Sequence, residues 1–515
     1  MLGVALEHHR AGRPAEAEQI YREVLSGQPN HPDALHLLGV ILGDKGQPQL
    51  AVEFIGRAIG LRADIADYHA NLGEYLRRAG NFEQSAASFR HALRLKPDDA
   101  HYHNGLGVTL AESRQIEPAI AEFRSAIRLN SNYPDALSNL GGALRTAGRL
   151  DEALDAIRAA IKLQPQMRGA HNHLGLVLAD MEQYQEAIGA YSTAIALKPD
   201  YAMAHCNLSQ VYLLLGDYQR GWAEYEWRLG VPSLAGTQQF DRPRWHGGNP
   251  SGKTIFVHSE QGYGDVIHFA RFIPQLVDRG ANVVLGCPAE LCRLFEGIVP
   301  TVIPGQPIPP HDFHCFLLSL GAILGIPAQS IPAPIPYLKS EPRLAQEWGR
   351  RFDSTDDRLR VGLVWGGSTT HTNDRNRSIK MAQFAPLASM TTAAFYSLQK
   401  GEPAAETIDP PPGMQLIDWT ADLNDFADTA ALIENLDLVI AVDTAAAHLA
   451  GAMGKKVWLM LPIVPDWRWM LKRDDSPWYP TVRLFRQRSR GDWSDVVLRV
   501  REELAKETRG ASRGR

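Results

Sequence analysis

Small and bulky apolar residues recur along the first half of the chain with a fixed period. Gly39, Gly73, Gly107, Gly141 and Gly175 stand 34 residues apart, and the series extends to Ala5 and Ser209. Twelve positions later come Ala17, Ala51, Ser85, Ala119, Ala153, Ala187 and Gly221. Four further on are Tyr21, Ile55, Phe89, Phe123, Ile157, Tyr191 and Tyr225. Pro97, Pro165 and Pro199 close their units. The spacing predicts seven helix pairs over residues 1–229. The small residues let paired helices touch, and the bulky one fills the gap to the next pair. No unit can bury its apolar face alone, so neighbours must stack into a solenoid. The seventh unit, with its run Gly221-Trp-Ala-Glu-Tyr-Glu-Trp-Arg228, departs from the pattern and is expected to adapt the solenoid to the second half of the chain.

The pattern then changes. Residues 230–252 are rich in Gly and Pro and read as a linker. Beyond them short β-branched and aromatic runs alternate with helical spacing. Strands are predicted at Thr254–Val257, Asn282–Gly286, Arg360–Trp365, Ala394–Leu398, Gln415–Asp418, Leu436–Val442 and Lys456–Leu461. Phe313–Leu320 can be either element type, and the prolines of 326–337 break the pattern. Alternation of this kind implies parallel sheets. The expectation is two Rossmann-like lobes, 253–340 and 341–515, facing a cleft, with ligands at the carboxyl ends of strands.

Composition adds little. Hydrophobic residues make up 44% and charged residues 22% of 515, as in ordinary globular proteins. A net charge of −5 gives no reason to expect nucleic acid. The basic residues of the C-terminal end (Arg499, Arg501, Lys506, Arg509, Arg513, Arg515) read as a solvated helix end. Four cysteines without C-x-x-C spacing argue against zinc and for a reducing compartment. With no signal-peptide pattern and no run of membrane-spanning length, the expected location is cytoplasmic, without stable membrane insertion.

Three strand ends carry candidate chemistry. After Thr254–Val257 the turn Gly262-Tyr-Gly264 is expected to lead into a helix opened by Asp265. The glycines there allow positive φ and close approach of a ligand. On position alone, Asp265 serves equally well as an N-cap or as a base. After Arg360–Trp365 come Ser368, Thr369, Arg377 and Lys380, hydroxyls and cations suited to a diphosphate. After Leu436–Val442 comes Asp443-Thr-Ala-Ala-Ala-His448, where Asp443 or Thr444 would cap a helix whose start can hold an anion and His448 lies within reach. No D-x-D pair is present, so no metal is expected. In the repeats, Asn71, Asn139 and Asn207 sit two residues before the small position. An amide both donates and accepts and can clamp a peptide backbone.

The repeat pattern is similar to the tetratricopeptide repeat (TPR), whose period is 34. The Asn column resembles the asparagine ladder of O-GlcNAc transferase. Gly264-Asp265-Val-Ile-His268 and the Asp443-Thr444…His448-Leu449 motif resemble those of the family 9 glycosyltransferases, best known as lipopolysaccharide heptosyltransferases. Arg377-Ser-Ile-Lys380 matches in position, with Lys380 where that family has Pro. The resemblance spans roughly 252–490. It implies a GT-B fold and an inverting, metal-independent enzyme with a nucleotide-sugar as co-substrate and no resident cofactor. Asp265 would be its base. Gly262, Gly264, Ser368, Thr369, Arg377, Lys380, Asp443, Thr444 and His448 would bind the donor. Joined to repeats, such lobes look like bacterial protein-modifying transferases. The acceptor is then a hydroxyl on a protein or peptide held by Asn71, Asn139 and Asn207. A lipopolysaccharide or lipid-linked acceptor, or a scaffold with a decayed transferase, are the alternatives. The segments Pro465-Asp-Trp-Arg-Trp469 and Asp474-Asp-Ser-Pro-Trp-Tyr-Pro480 do not match heptosyltransferases, and their expected role is to shape the acceptor or sugar pocket or to cover the sheet edge.

Overall fold

The computed structural model describes residues 1–235, 240–326, 335–371 and 373–511. Part of the expected linker (236–239), most of the proline-rich passage (327–334), and Arg513 and Arg515 lie outside the described residues. The chain divides into two compact units, Met1–Ala204 and His205–Arg515.

The first unit is a tetratricopeptide solenoid. Its helices come in pairs: Leu2–Arg10 (α1) with Pro14–Gly27 (α2), Pro32–Asp44 (α3) with Pro48–Leu61 (α4), Ala66–Arg78 (α5) with Phe82–Leu95 (α6), Ala100–Glu112 (α7) with Ile116–Leu129 (α8), Pro134–Thr146 (α9) with Leu150–Leu163 (α10), and Arg168–Asp180 (α11) with Tyr184–Leu197 (α12). The small positions do what their spacing implies. A Cβ added at Gly73 would lie 2.8 Å from the Phe89 ring, and one at Gly141 2.3 Å from Ile157. Phe89 also reaches Gly105 of the next pair, where a Cβ would meet it at 2.4 Å. The alanines twelve positions on are fully buried. The turn inside each pair needs a left-handed residue. Gly12, Gly46, Gly80 and Gly148 supply it with φ of 71–81°, and Arg114 and Glu182 take the same place at 64° and 62°.

A seventh helix pair, Ala202–Leu214 (α13) and Tyr218–Tyr225 (α14), lies from His205 onwards in the second unit, followed by a 3₁₀ turn at Glu226–Gly230 and a short helix Pro232–Ala235 (α15). Trp222 of α14 packs edge-on against Phe269 and Trp467, with ring centroids 5.9 and 5.3 Å away. Arg228 is fully buried and donates to Glu260 at 2.6 Å and to Ser319 at 2.8 Å. So α14 and the turn after it belong to the core of the α/β unit. The stretch expected as linker is packed as well. Trp245 N–H donates to the His314 carbonyl, and the Phe240 ring stacks on His258 and His314.

Two parallel sheets complete the second unit. The first has the order β3-β2-β1-β4, from Thr254–His258 (β1), Asn282–Gly286 (β2), Thr301–Val302 (β3) and Phe313–Phe316 (β4). Its helices are Tyr263–Phe269 (α16), Ile273–Asp278 (α17), Ala289–Cys292 (α18) and Leu320–Ile323 (α19). Phe313–Leu320 thus resolves into a strand followed by a helical turn. The second sheet has the order β10-β9-β8-β5-β6-β7. Its strands are Leu359–Val364 (β5), Ala393–Ser397 (β6), Leu416–Ile417 (β7), Leu438–Val442 (β8), Val457–Leu461 (β9) and Val482–Arg486 (β10). The helices Pro342–Gly349 (α20), Asp374–Arg377 (α21), Phe426–Glu434 (α22), Ala445–Ala452 (α23) and Ser494–Ala511 (α24) surround it. Val361, Leu363, Ile440, Trp458 and Met460 on the strands pack with Val496, Val500 and Leu504 of α24. All seven expected strands are present within two residues of their predicted ends. β10 and α24 complete a sheet that the sequence pattern leaves one strand short. Strand order reverses between β1 and β4 and between β5 and β8, the places where open α/β sheets form ligand crevices.

Candidate functional site

The first motif sits where β1 feeds α16. The left-handed residue of this turn is Gln261, with φ 68°, and neither Gly262 nor Gly264 has a positive φ. Gly262 is the N-cap, so α16 begins two residues earlier than expected, at Tyr263. Asp265 is its third residue, and its Oδ2 accepts the Gly262 N–H at 3.1 Å. A carboxylate there suits the helix start electrostatically. The capping role expected as one alternative is therefore present, in reversed form. Gly264 has a packing role. A Cβ there would lie 3.1 Å from the His448 ring and 3.6 Å from Ala445 Cα. Its missing side chain lets α16 lie against the start of α23.

The third motif lies at that contact. Thr444 is the N-cap of α23, but its hydroxyl donates to the Val442 carbonyl at 3.2 Å and makes no capping bond. Asp443 stands 3.6 Å from His448 Nε2. Burial works to raise the Asp443 carboxyl, but the nearby His448 and the charges of Arg377 and Arg468 hold it below the usual range. Arg377 packs against the chain at Gly367, where a Cβ would be 2.5 Å from its guanidinium. Partial desolvation and Arg377 hold His371 low, against the opposing pull of Asp443, Asp466 and Asp265. The structure therefore gathers Gly264, Asp265, Arg377, Asp443, Thr444 and His448 around one place.

Other expected donor residues are engaged elsewhere. Lys380 is 81% exposed and pairs with Glu406 at 2.9 Å. Thr369 donates to Glu402 at 2.9 Å, and Ser368 shares a hydrogen bond with Thr370. The loop that carries them is tied back by Gln399, whose Oε1 accepts from the Trp365 and Gly366 N–H groups.

Pro465–Pro480 contributes side chains to the same place. Arg468, 5% exposed, donates to Asp265 Oδ1 and to Asp466 Oδ1. The Tyr479 hydroxyl lies 3.0 Å from His268 Nδ1 and 2.9 Å from His448 Nδ1, so it joins the histidines of both motifs. A hydroxyl has one proton, so it donates to one ring and accepts from the other. Burial, with Arg271, Arg468 and His448 nearby, holds His268 well below its ordinary pKa, so it is neutral. Arg271 stacks on Tyr479 at 4.6 Å and donates to the Trp478 carbonyl. The density of Trp and Tyr in 465–480 is the one sequence signal that marked this segment. Among the described residues, no group of three or more His, Cys, Asp or Glu is placed to hold a metal ion.

In the repeats, Asn71 Nδ2 bonds His36 at 2.8 Å and Asn139 Nδ2 donates to Asn104 at 3.1 Å. Each is tied to the preceding repeat, one period plus one residue back. His173 and Ser138 make the same kind of link at 2.9 Å. Asn207 belongs to the second unit.

Comparison with known proteins bears mainly on the repeats. Residues 4–68, 70–134 and 109–168 match the family described as tetratricopeptide repeat, and residues 176–216 match a further TPR repeat family. Among curated proteins, Protein FlbA of Caulobacter vibrioides is 28% identical over 317 residues. The match takes in 55% of this chain and 52% of that protein, so the chain spans about half the length of that relative. Solved structures with similarity include the APC/C hetero-tetramer Cut9–Hcn1, at 21% identity over 41% of this chain and 42% of that one, TM-score 0.38. The type IV pilus biogenesis factor PilW is 19% identical over 40% and 96%, TM-score 0.38. YrrB, a TPR protein with an unusual peptide-binding site, is 22% identical over 36% and 95%, TM-score 0.30. No helix among the described residues is long and apolar enough to cross a membrane.

Proposed function

We propose that the second unit is a GT-B-type glycosyltransferase that moves a sugar from a nucleotide-diphosphate donor to a hydroxyl of a protein acceptor, which the repeats recruit. The observation that carries this reading is the meeting of the α16 and α23 starts. It sets the Asp265 carboxylate, 24% exposed, beside a helix start that no side chain caps. Arg377 and His448 stand at the same place. In the reaction, Asp265 takes the proton of the acceptor hydroxyl. The oxygen bonds to the anomeric carbon, and the bond to the diphosphate breaks with its electron pair leaving on the diphosphate. Arg377, His448 and the α23 N–H groups offset the charge that develops there. Ser368, Thr369 and Lys380 bear less of this than their sequence positions suggest. On the repeats, Asn71 and Asn139 each retain bonding capacity beyond the bond to their neighbour.

Asp265→Asn tests the reading. An Asn oxygen can still accept the Gly262 N–H, so the helix start survives. A general base contributes typically ~10²–10⁴-fold. Nucleoside diphosphate release from a panel of UDP-, GDP-, ADP- and dTDP-sugars should fall by about that factor. Binding of the nucleoside diphosphate, followed by titration calorimetry, should persist. Wild-type turnover in the variant would reduce Asp265 to a helix-capping residue.

A further inference from the structure

We propose that Arg468 is a positioning residue that fixes the orientation of the Asp265 carboxylate; this rests on the reading of Asp265 as the base. The two residues are 203 positions apart, and Arg468 lies in a segment that does not match heptosyltransferases. Arg468 is set in place without help from Asp265. The Asp466 carboxylate caps the 3₁₀ turn Trp467–Trp469 by accepting the Arg468 N–H at 3.0 Å, and it accepts from Nη1 at 3.0 Å as well. The guanidinium lies over the Trp467 ring, 4.5 Å from its centroid, and 5.6 Å from that of Phe269. A cation buried to this depth and already paired does not swing out readily. It therefore presents Nη2 to Asp265 as a fixed donor.

Asp265 is thus held at two points, Oδ1 by Arg468 and Oδ2 by the Gly262 N–H. A two-point hold fixes the plane of the carboxylate. Each oxygen keeps a second lone-pair direction for a substrate hydroxyl. A base so held needs no search for its productive rotamer, and small misplacements of a reacting group are expensive in rate. The same segment also joins the two motif helices through Tyr479, whose hydroxyl meets both His268 and His448. The planar fork of arginine suits this task and the point charge of lysine does not.

The experiment uses the full chain with the same panel of nucleoside-diphosphate sugars. Arg468→Ala should lower kcat about ten- to hundredfold, with the donor KM nearly unchanged. Millimolar guanidinium should restore part of the turnover in R468A and none in the double variant with D265N. Arg468→Lys, which keeps the charge and loses the fork, should fold and stay well below wild-type kcat. A crystal structure of R468A gives a readout independent of turnover: the Asp265 carboxylate should leave its present orientation. Wild-type kcat in R468K, a raised donor KM at unchanged kcat, no response of folded R468A to guanidinium, or an unmoved Asp265 would each overturn the proposal. Loss of turnover in D265N combined with full turnover in the Arg468 variants would overturn it while leaving the base assignment standing. Full turnover in D265N would instead remove the reading on which it rests.

Discussion

The two units of this chain reach stability by different routes. In the first, one contact is repeated. A small residue on one helix meets a bulky residue sixteen positions on, at Gly73 and Phe89, Gly107 and Phe123, Gly141 and Ile157, and Gly175 and Tyr191. Each pair depends on its neighbours alone. In the second unit the decisive contacts join residues far apart in sequence and differ from one another. They include Trp222 on Trp467, Arg228 with Glu260, Arg271 under Tyr479 and Arg468 with Asp265. All 11 tryptophans lie after residue 205. Tryptophan fluorescence therefore reports only the second unit, while the helix signal in circular dichroism comes mostly from the first. Periodic contacts tolerate local loss; a buried aperiodic network fails as a whole.

Trp222→Ala should show the largest effect. The ring is 3% exposed, wedged against Gly321, Phe269 and Trp467. Truncating such a side chain costs about 3–5 kcal/mol. The unfolding free energy read by tryptophan fluorescence in denaturant should fall by that amount in one cooperative step, although the residue comes from a helix of repeat type. The corresponding Phe89→Ala should leave this transition in place and loosen only the neighbouring repeats. If Trp222→Ala shifts the stability read by fluorescence by less than about 1 kcal/mol, the seventh pair is an appendage and the contrast between the two units fails.

Acidification should separate the units by a smaller margin. Burial, with help from His314 and Arg244, depresses His258 to about 3, and burial depresses His36 in the first unit to about 4. A histidine with a depressed folded pKa stays neutral while the unfolded chain takes up a proton. Its contribution is intact above ~6.5 and falls as pH drops towards the folded value. At pH 5 each of these two has lost about 2 kcal/mol. The first unit also holds His173 and His91 low, and the second His314, His371 and, well below its normal range, His268, so the second should lose more than the first between pH 7 and 5. Urea titrations at the two pH values, followed by both signals, measure this directly. Equal losses would mean that His268 gains a proton without unfolding.

The sequence made the architecture legible wherever a period or an apolar run carried it. The repeat phase follows from Gly39 to Gly175, and the strands from runs such as Leu438–Val442, because local burial writes itself into adjacent residues. The motif positions Asp265, Asp443 and His448 follow from strand ends. What escaped is long-range or already satisfied. Nothing near Asp265 in sequence announces Arg468, and no pattern marks Tyr479 as the link between two histidines. Lys380 and Thr369 looked available because their partners Glu406 and Glu402 lie in a separate turn. The bonds of Asn71 and Asn139 to His36 and Asn104 escape the pattern because they cross a repeat boundary.

The smallest effect belongs to the intrarepeat turn, where the first unit departs from its own rule. Four of its six pairs use glycine for the left-handed residue, and Arg114 and Glu182 replace it in the other two. A non-glycine residue in this conformation costs roughly 1–2 kcal/mol, partly offset by the lower entropy of its unfolded chain, worth about 0.4–1 kcal/mol. The Glu182 backbone N–H donates to the Ala179 carbonyl at 3.0 Å, a bond that glycine keeps. Glu182→Gly should therefore stabilise the α11–α12 turn by about 0.5–1 kcal/mol. Gly148→Ala, at φ 80° with no atom near its absent Cβ, should destabilise the preceding turn by a similar amount. Hydrogen exchange at Gln183 and Arg149, whose N–H groups close the two turns onto Leu178 and Leu144, reads both changes locally. Opposite signs at the two sites would show that the turn geometry alone sets this energy. A loss of protection in Glu182→Gly would mean that the Glu side chain supports the turn, and the repeats would then be less interchangeable than their period implies.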